Sequence, residues 1–171
     1  MKKFELTSEF ITNIFGTKLF RIKALIEFGN VKAGELGGFV EKEENLSQDG
    51  NAWVYDSARV YDNARVCGDA RVYDNACVCG DACVYGDARV CGDACVYGDA
   101  GYATVHGFGS EYRTTTFFKT KAGDIGVKCG CFYGNLSEFR KKVVETHGET
   151  KKAKEYLMLA DLMEFRFSDN S

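Results

Sequence analysis

From Asn51 the chain repeats a six-residue unit with Ala second and Val fourth: NAWVYD, SARVYD, NARVCG, DARVYD, NACVCG, DACVYG, DARVCG and DACVYG, then a degraded DAGYAT ending at Thr104. Small apolar residues two apart, alternating with larger or polar ones, predict a short strand whose inner face carries Ala and Val. The sixth and first positions are Gly, Asp, Asn or Ser, as in Gly68-Asp69 and Asp74-Asn75, residues that tolerate a left-handed corner. Each unit is therefore one strand and one corner. A strand of about four residues cannot satisfy its own backbone, so its partners must come from the next turn of a coil stacked about 4.8 Å away. With only Ala and Val inside, the lumen must be narrow and dry.

The two ends carry different patterns. Residues 18–28 begin with period-two alternation and predict a strand with Phe20, Ile22 and Ala24 on one face. A bare first coil exposes unpaired backbone, so residues 1–32 are expected to form an N-terminal β cap. Beyond the repeat, Tyr112 to Thr120 and Ile125 to Phe132 read as a hairpin about the turn Lys121–Asp124. Asn135 and Glu138 form a capping-box start for a helix that puts Leu136, Phe139 and Val143 on one face and stops at Gly148. A second helix, Lys151 to Phe165, gathers Tyr156, Leu159, Ala160 and Met163. Residues 105–171 are thus expected to be a ββαα module, and residues 33–104 the solenoid.

Ala-x-Val-x-[Gly/Asp]-[Asp/Asn] at period six resembles the hexapeptide repeat of left-handed parallel β-helices, in which three hexads make one triangular coil. That resemblance implies the left hand, and a mainly β fold of three to four coils. Nine hexads between residues 51 and 104 give three coils. Asn45–Gly50 is expected to keep the register with Leu46 in the Ala position, and an irregular fourth coil to begin near Ala33. The longer pattern from Ala33 to Gly50, followed by hexads and a distinct C-terminal module, looks like uncharacterised proteins of bacteriophages and prophages. This likeness adds the expectation of an inhibitor that occludes a bacterial defence complex, such as a CRISPR or restriction nuclease.

Composition narrows these options. The 171 residues are 45% apolar and 13% aromatic, enough for a real core, and a formal charge of −3 rules out a polybasic sheath for nucleic acid or anionic lipid. No apolar run approaches a membrane span and no export signal opens the chain, so the expected compartment is the cytoplasm of a bacterial host cell. The eight Cys are then expected reduced, and the absence of Pro leaves the turns to Gly, Asn and Asp. Residues 51–104 carry four basic and eight acidic side chains, all eight acids being corner Asp, whereas residues 105–171 carry eleven basic and nine acidic. Corner chemistry accounts for this acidity better than mimicry of nucleic acid does.

Hexapeptide-repeat proteins resemble acyltransferases and carbonic anhydrases with three-His zinc sites. Here the histidines are His106 and His147, both beyond the hexads, so no three-His site is expected. His106 remains the one candidate base for an acyltransferase, with no loop interrupting the hexads to hold an acyl donor. Cys77-Val-Cys79 and Cys129-Gly-Cys131 lack the spacing of zinc pairs, and Cys95 would stack over Cys77 because the repeat forces it. No catalytic residue, metal or cofactor is expected. The outward positions remain: Trp53, Arg71 and Arg89 beside Tyr55 and Tyr73 on one wall, with Arg59 and Tyr61 starting another. Arg, Tyr and Trp together are what interface hot spots use, so these seven are the expected binding ladder. The partner is a host or phage protein complex, or a second copy in a dimer or trimer; membrane is not expected, and the charge leaves nucleic acid open through Lys151, Lys152 and Lys154. A hexapeptide-repeat transferase and a self-assembling structural protein are the rival functions.

Overall fold

The computed structural model describes residues 1–109, 111 and 113–168, with the side chain of Asp99 left aside. It divides into two compact units, Met1–Ala100 and Gly101–Ser171.

The first unit opens with β1 (Phe4–Thr12), β2 (Lys18–Ala24) and β3 (Leu36–Val40), joined antiparallel in that order. Then come the hexad strands β4 (Trp53–Val54), β5 (Arg59–Val60), β6 (Arg65–Val66), β7 (Arg71–Val72), β8 (Cys77–Cys79), β9 (Cys83–Val84), β10 (Arg89–Val90) and β11 (Cys95–Tyr97). They visit three walls in turn and pair in parallel with the strand 18 residues on, giving β5-β8-β11, β4-β7-β10 and β6-β9, while β3 joins β5 in parallel. This is a β-solenoid of about three turns. Every hexad Ala from Ala52 to Ala94 and every hexad Val from Val54 to Val96 has no solvent exposure.

The corners follow from the sixth position. Asp56, Asp62, Asp74 and Gly68, Gly80, Gly86, Gly92 and Gly98 all have positive φ. Where Asp stands, its carboxylate reaches the coil above: Asp62 Oδ2 accepts from the Gly80 amide at 3.1 Å and Asp74 Oδ2 from Gly92 at 3.0 Å. Asn51 and Asn63 donate in the same way to Asp69 and Asp81, 2.9 and 3.1 Å away. Asp62, Asp69, Asp74 and Asp81 are thus rungs of structural ladders between coils.

Two expectations for this unit need correction, and one element goes beyond them. Leu46 lies opposite Val66, in the Val column, and Val40 opposite Val60, each 20 residues apart. Trp53 and Arg71 are again 18 apart, so the corner between Leu46 and Trp53 holds two extra residues, and Asn45–Gly50 only imitates a hexad. Asn45, fully buried, braces this wider coil by donating to Asp62 O and Ala64 O. Next, Leu19 rather than Phe20 joins Ile22 and Ala24 inside, because an irregularity between Arg21 and Lys23 shifts the alternation; Phe20 packs instead on Phe10 at 6.0 Å. Finally, β1 itself is an element that the pattern did not predict.

The cap closes the first coil with polar as well as apolar groups. Lys3, 2% exposed, donates from Nζ to Ala52 O at 3.0 Å and Gly50 O at 3.4 Å, satisfying carbonyls that lack a preceding coil. Burial lowers its pKa from 10.5 to about 8, partly offset by Asp49. Gln48 Oε1 accepts from the Lys3 and Phe4 amides at 2.7 and 3.3 Å. Gly37 and Gly38 let β3 approach closely, since a Cβ there would lie 2.5 Å from Val54 O or 2.6 Å from Ala58 O.

In the second unit the degraded hexad does not continue the solenoid. Asp99–Gly101 form a 3-10 turn, and β12 (Tyr102–Val105) pairs antiparallel with β13 (Thr115–Lys119). Then β14 (Ile125–Cys129) and β15 (Phe132–Asn135) complete a four-stranded sheet in chain order. The expected hairpin is present, but the expected strand Ile125 to Phe132 breaks at Gly130, φ +57, and Tyr112 lies outside the described residues. The module is therefore ββββαα. Helix α1 (Leu136–His147) starts on the expected reciprocal cap, Asn135 and Glu138 each accepting from the other's amide at 2.8 Å, and ends at Gly148, φ +58. Helix α2 (Lys151–Phe167) is capped by Thr150 and tied to α1 by Arg140, 2.9 Å from both Asp161 and Glu164. Phe139 centres the core, 6.0 Å from Phe117 and 5.7 Å from Tyr156, both edge-on.

Candidate functional site

Registration of the coils stacks the outward side chains as the period requires: Trp53, Arg71 and Arg89 in one column, and Arg59, Cys77 and Cys95 in another. Position alone did not decide which of them reach solvent. Trp53 points out of the coil but is fully buried, edge-on to Phe28 at 5.3 Å and Phe4 at 6.2 Å. It is a cap-docking residue and not part of a free binding surface, which corrects the ladder. Its indole N–H has no hydrogen-bond partner among the described residues.

Arg59 and Arg89 are exposed; Tyr55, Tyr61, Arg71 and Tyr73 are half-buried. Tyr61 bends over the thiols of the next coil, receiving a hydrogen bond from Cys77 Sγ at 3.3 Å. Burial first, and contact with Cys77 and Cys79 second, push the Tyr61 phenol well above its ordinary range. Cys79 is pushed up strongly by its hydrogen bond with Cys77 and by burial, so its thiol stays protonated and unreactive. On the neighbouring wall burial raises Tyr73, with the Cys91 thiol second, and burial also raises Tyr55. At Tyr61 and Tyr73 the fifth-position Tyr thus has a packing role, covering thiols of the next coil. All eight cysteines are unbridged, and among the described residues no cluster could hold a metal ion.

Other features escaped the sequence reading. Tyr85 and Tyr97 stand 62% and 71% exposed on the walls. At the tip of the β1-β2 hairpin Ile14 and Phe15 are 93% and 78% exposed. The tip is held in shape: Asn13 Oδ1 accepts from the Phe15 amide at 3.0 Å and the Thr17 amide at 2.9 Å, and Gly16 has φ +86. The available signal was Asn13 and Gly16, turn residues bracketing two large apolar ones. Along the widened corner runs an open groove of about 510 Å³, lined among others by Glu43, Glu44, Asp49, Arg65, Cys67 and Cys83. His106 lies in the second unit, exposed, its Nδ1 3.1 Å from Thr114 Oγ1. Among the described residues no helix is long and apolar enough to cross a membrane.

Comparison with known proteins agrees with the repeat. Residues 58–73 and 64–80 match the family described as the YdcK β-solenoid repeat. The chain is also 36% identical over 77 residues to a protein of Escherichia coli (strain K12) described as "Uncharacterized acetyltransferase YdcK", which covers 40% of this chain and 24% of that protein. The chain therefore spans about a quarter of that relative's length. The repeat match falls on hexads whose strands and corners the fold displays.

Proposed function

We propose that the protein is a non-enzymatic β-solenoid that binds another protein through its exposed wall side chains and the tip of its N-terminal hairpin. One observation carries the reading: Ile14 and Phe15 are held rigidly in solvent by Asn13, the arrangement of an interface anchor. Exposed Tyr85, Tyr97, Arg59 and Arg89 supply the residue types that interfaces favour. The partner is a second copy, in a dimer or trimer, or a different protein complex. Occlusion of a bacterial defence complex, expected from the phage likeness, is one case of the latter.

The test is size-exclusion chromatography with light scattering, together with affinity capture from bacterial lysate at moderate salt. A stoichiometric oligomer or a single retained complex is expected, lost on Ile14→Asp/Phe15→Asp while the thermal midpoint holds. A monomer that retains nothing, or retention indifferent to that double substitution, overturns the proposal.

The name of the E. coli relative favours a second reading, an acetyltransferase with His106 as base. Against it, both histidines lie outside the hexads, and no loop longer than a corner separates β4 from β11. Acetyl transfer from an acyl donor, abolished by His106→Ala, would decide for this alternative.

A further inference from the structure

The C-terminal unit contains an open pocket of about 180 Å³ that the binding proposal does not use. Its wall is apolar: Phe132, Phe139 and Val143 line it, with the ring of Tyr156 edge-on to Phe139 at 5.7 Å. Its remaining lining includes three basic side chains, Arg113, Lys142 and His147, and no carboxylate among the described residues. An apolar pocket with a few polar groups in its lining is the usual form of a small-ligand site. His147 suits the negative end of α1 in any case. Arg113 does not come from that helix, and its guanidinium crosses the β14-β15 turn so closely that a Cβ on Gly130 would lie 1.8 Å from Nη1.

Two observations define the ligand. The pocket is open to solvent, and its volume of about 180 Å³ suits a body of about one ring. Arg113 already holds a carboxylate, that of Glu111, a non-glycine residue kept at φ +59. A carboxylate arriving from solvent would take the place of Glu111 on the same guanidinium.

We propose that this cavity binds a small aromatic monocarboxylate, its ring against Phe132 and Phe139 and its carboxylate between Arg113 and Lys142, with Glu111 as the internal competitor. Losing one charge-assisted contact costs about tenfold in affinity. Benzoate titrated into the full chain and followed by NMR is the probe, with benzyl alcohol as the neutral comparator. Saturable shifts confined to Val143, His147 and Tyr156 are expected, with benzyl alcohol at least about tenfold weaker. Lys142→Met, at an exposed position, and Arg113→Gln should each weaken benzoate about tenfold. Glu111→Gln should strengthen it, a sign that a merely structural ion pair would not produce. Non-saturating shifts, equal affinity for benzyl alcohol, or weaker binding by Glu111→Gln would overturn the proposal.

Discussion

The lumen of the solenoid and the core of the C-terminal unit solve the same burial problem with opposite materials. The lumen uses only Ala and Val, every hexad copy fully buried, and draws its specificity from repetition: each strand is paired by the one 18 residues on. The C-terminal core uses large rings, with Phe139 meeting Phe117, Phe132 and Tyr156, and draws its specificity from shape. Small identical residues tolerate duplication, because any copy fits any coil. Interlocked aromatics do not, because each ring has its own neighbours.

The comparison breaks most decisively at a lumen valine. Val72→Asp or Val78→Asp places a charge where no water reaches, and should cost more than about 4 kcal/mol and unfold the solenoid. The single Trp reports it: Trp53 fluorescence, shielded from quenchers in the wild type, becomes quenchable, while the circular dichroism of α1 and α2 persists. Loss of both signals together would show that the two cores do not fold by separate rules. Phe139→Ala is the mirror experiment, expected to cost about 3–5 kcal/mol by chemical denaturation and to leave Trp53 shielded.

Smaller effects sharpen the boundary of each region. Gly38→Ala puts a methyl where the Val54 side chain and Ala58 carbonyl already stand, and should lower stability by about 1–3 kcal/mol. Asn135→Ala removes the α1 cap and should cost about 1 kcal/mol, visible as a lower denaturant midpoint with an unchanged slope. A pH-dependent effect belongs to Lys3. Its ammonium is harder to keep charged in the native state than in the unfolded one, so the unfolded chain holds more protons between pH about 8 and 10.5. Stability contributed by this group should therefore rise with pH across that window and level off below it. A wild-type profile with the same slope as Lys3→Met would dismiss the idea.

The solenoid was legible wherever its period was intact: wall order, inward Ala and Val, left-handed corners and the stacking of Cys95 on Cys77 all follow from six-residue spacing. It misled where a segment imitates that period. Asn-Leu-Ser-Gln-Asp-Gly reads as a hexad with Leu46 in the Ala slot, and only pairing with Val66 reveals the extra corner residues. β1 was obscured because an irregularity breaks its alternation, and β2 was read as a strand with the wrong residue, Phe20 for Leu19, on its inner face. α1 was written in its cap and α2 in its apolar face, whereas β15 hides behind a turn of Gly130 and Cys131 that lacks the usual Asn or Asp. Within the binding ladder, column membership was a local property and could be read. Exposure was not: Trp53 is covered by Phe4 and Phe28, residues distant in the chain whose approach no pattern around Trp53 announces.

The corner ladders carry a consequence for how such a chain changes length. Since Asp62 serves Gly80 and Asp74 serves Gly92 across one coil's separation, a spliced-in block of 18 residues meets the same partners as its neighbours. Growth by one block would extend the stack by about 4.8 Å and leave both flanking seams unaltered, so its span behaves as an integer that gene duplication can adjust.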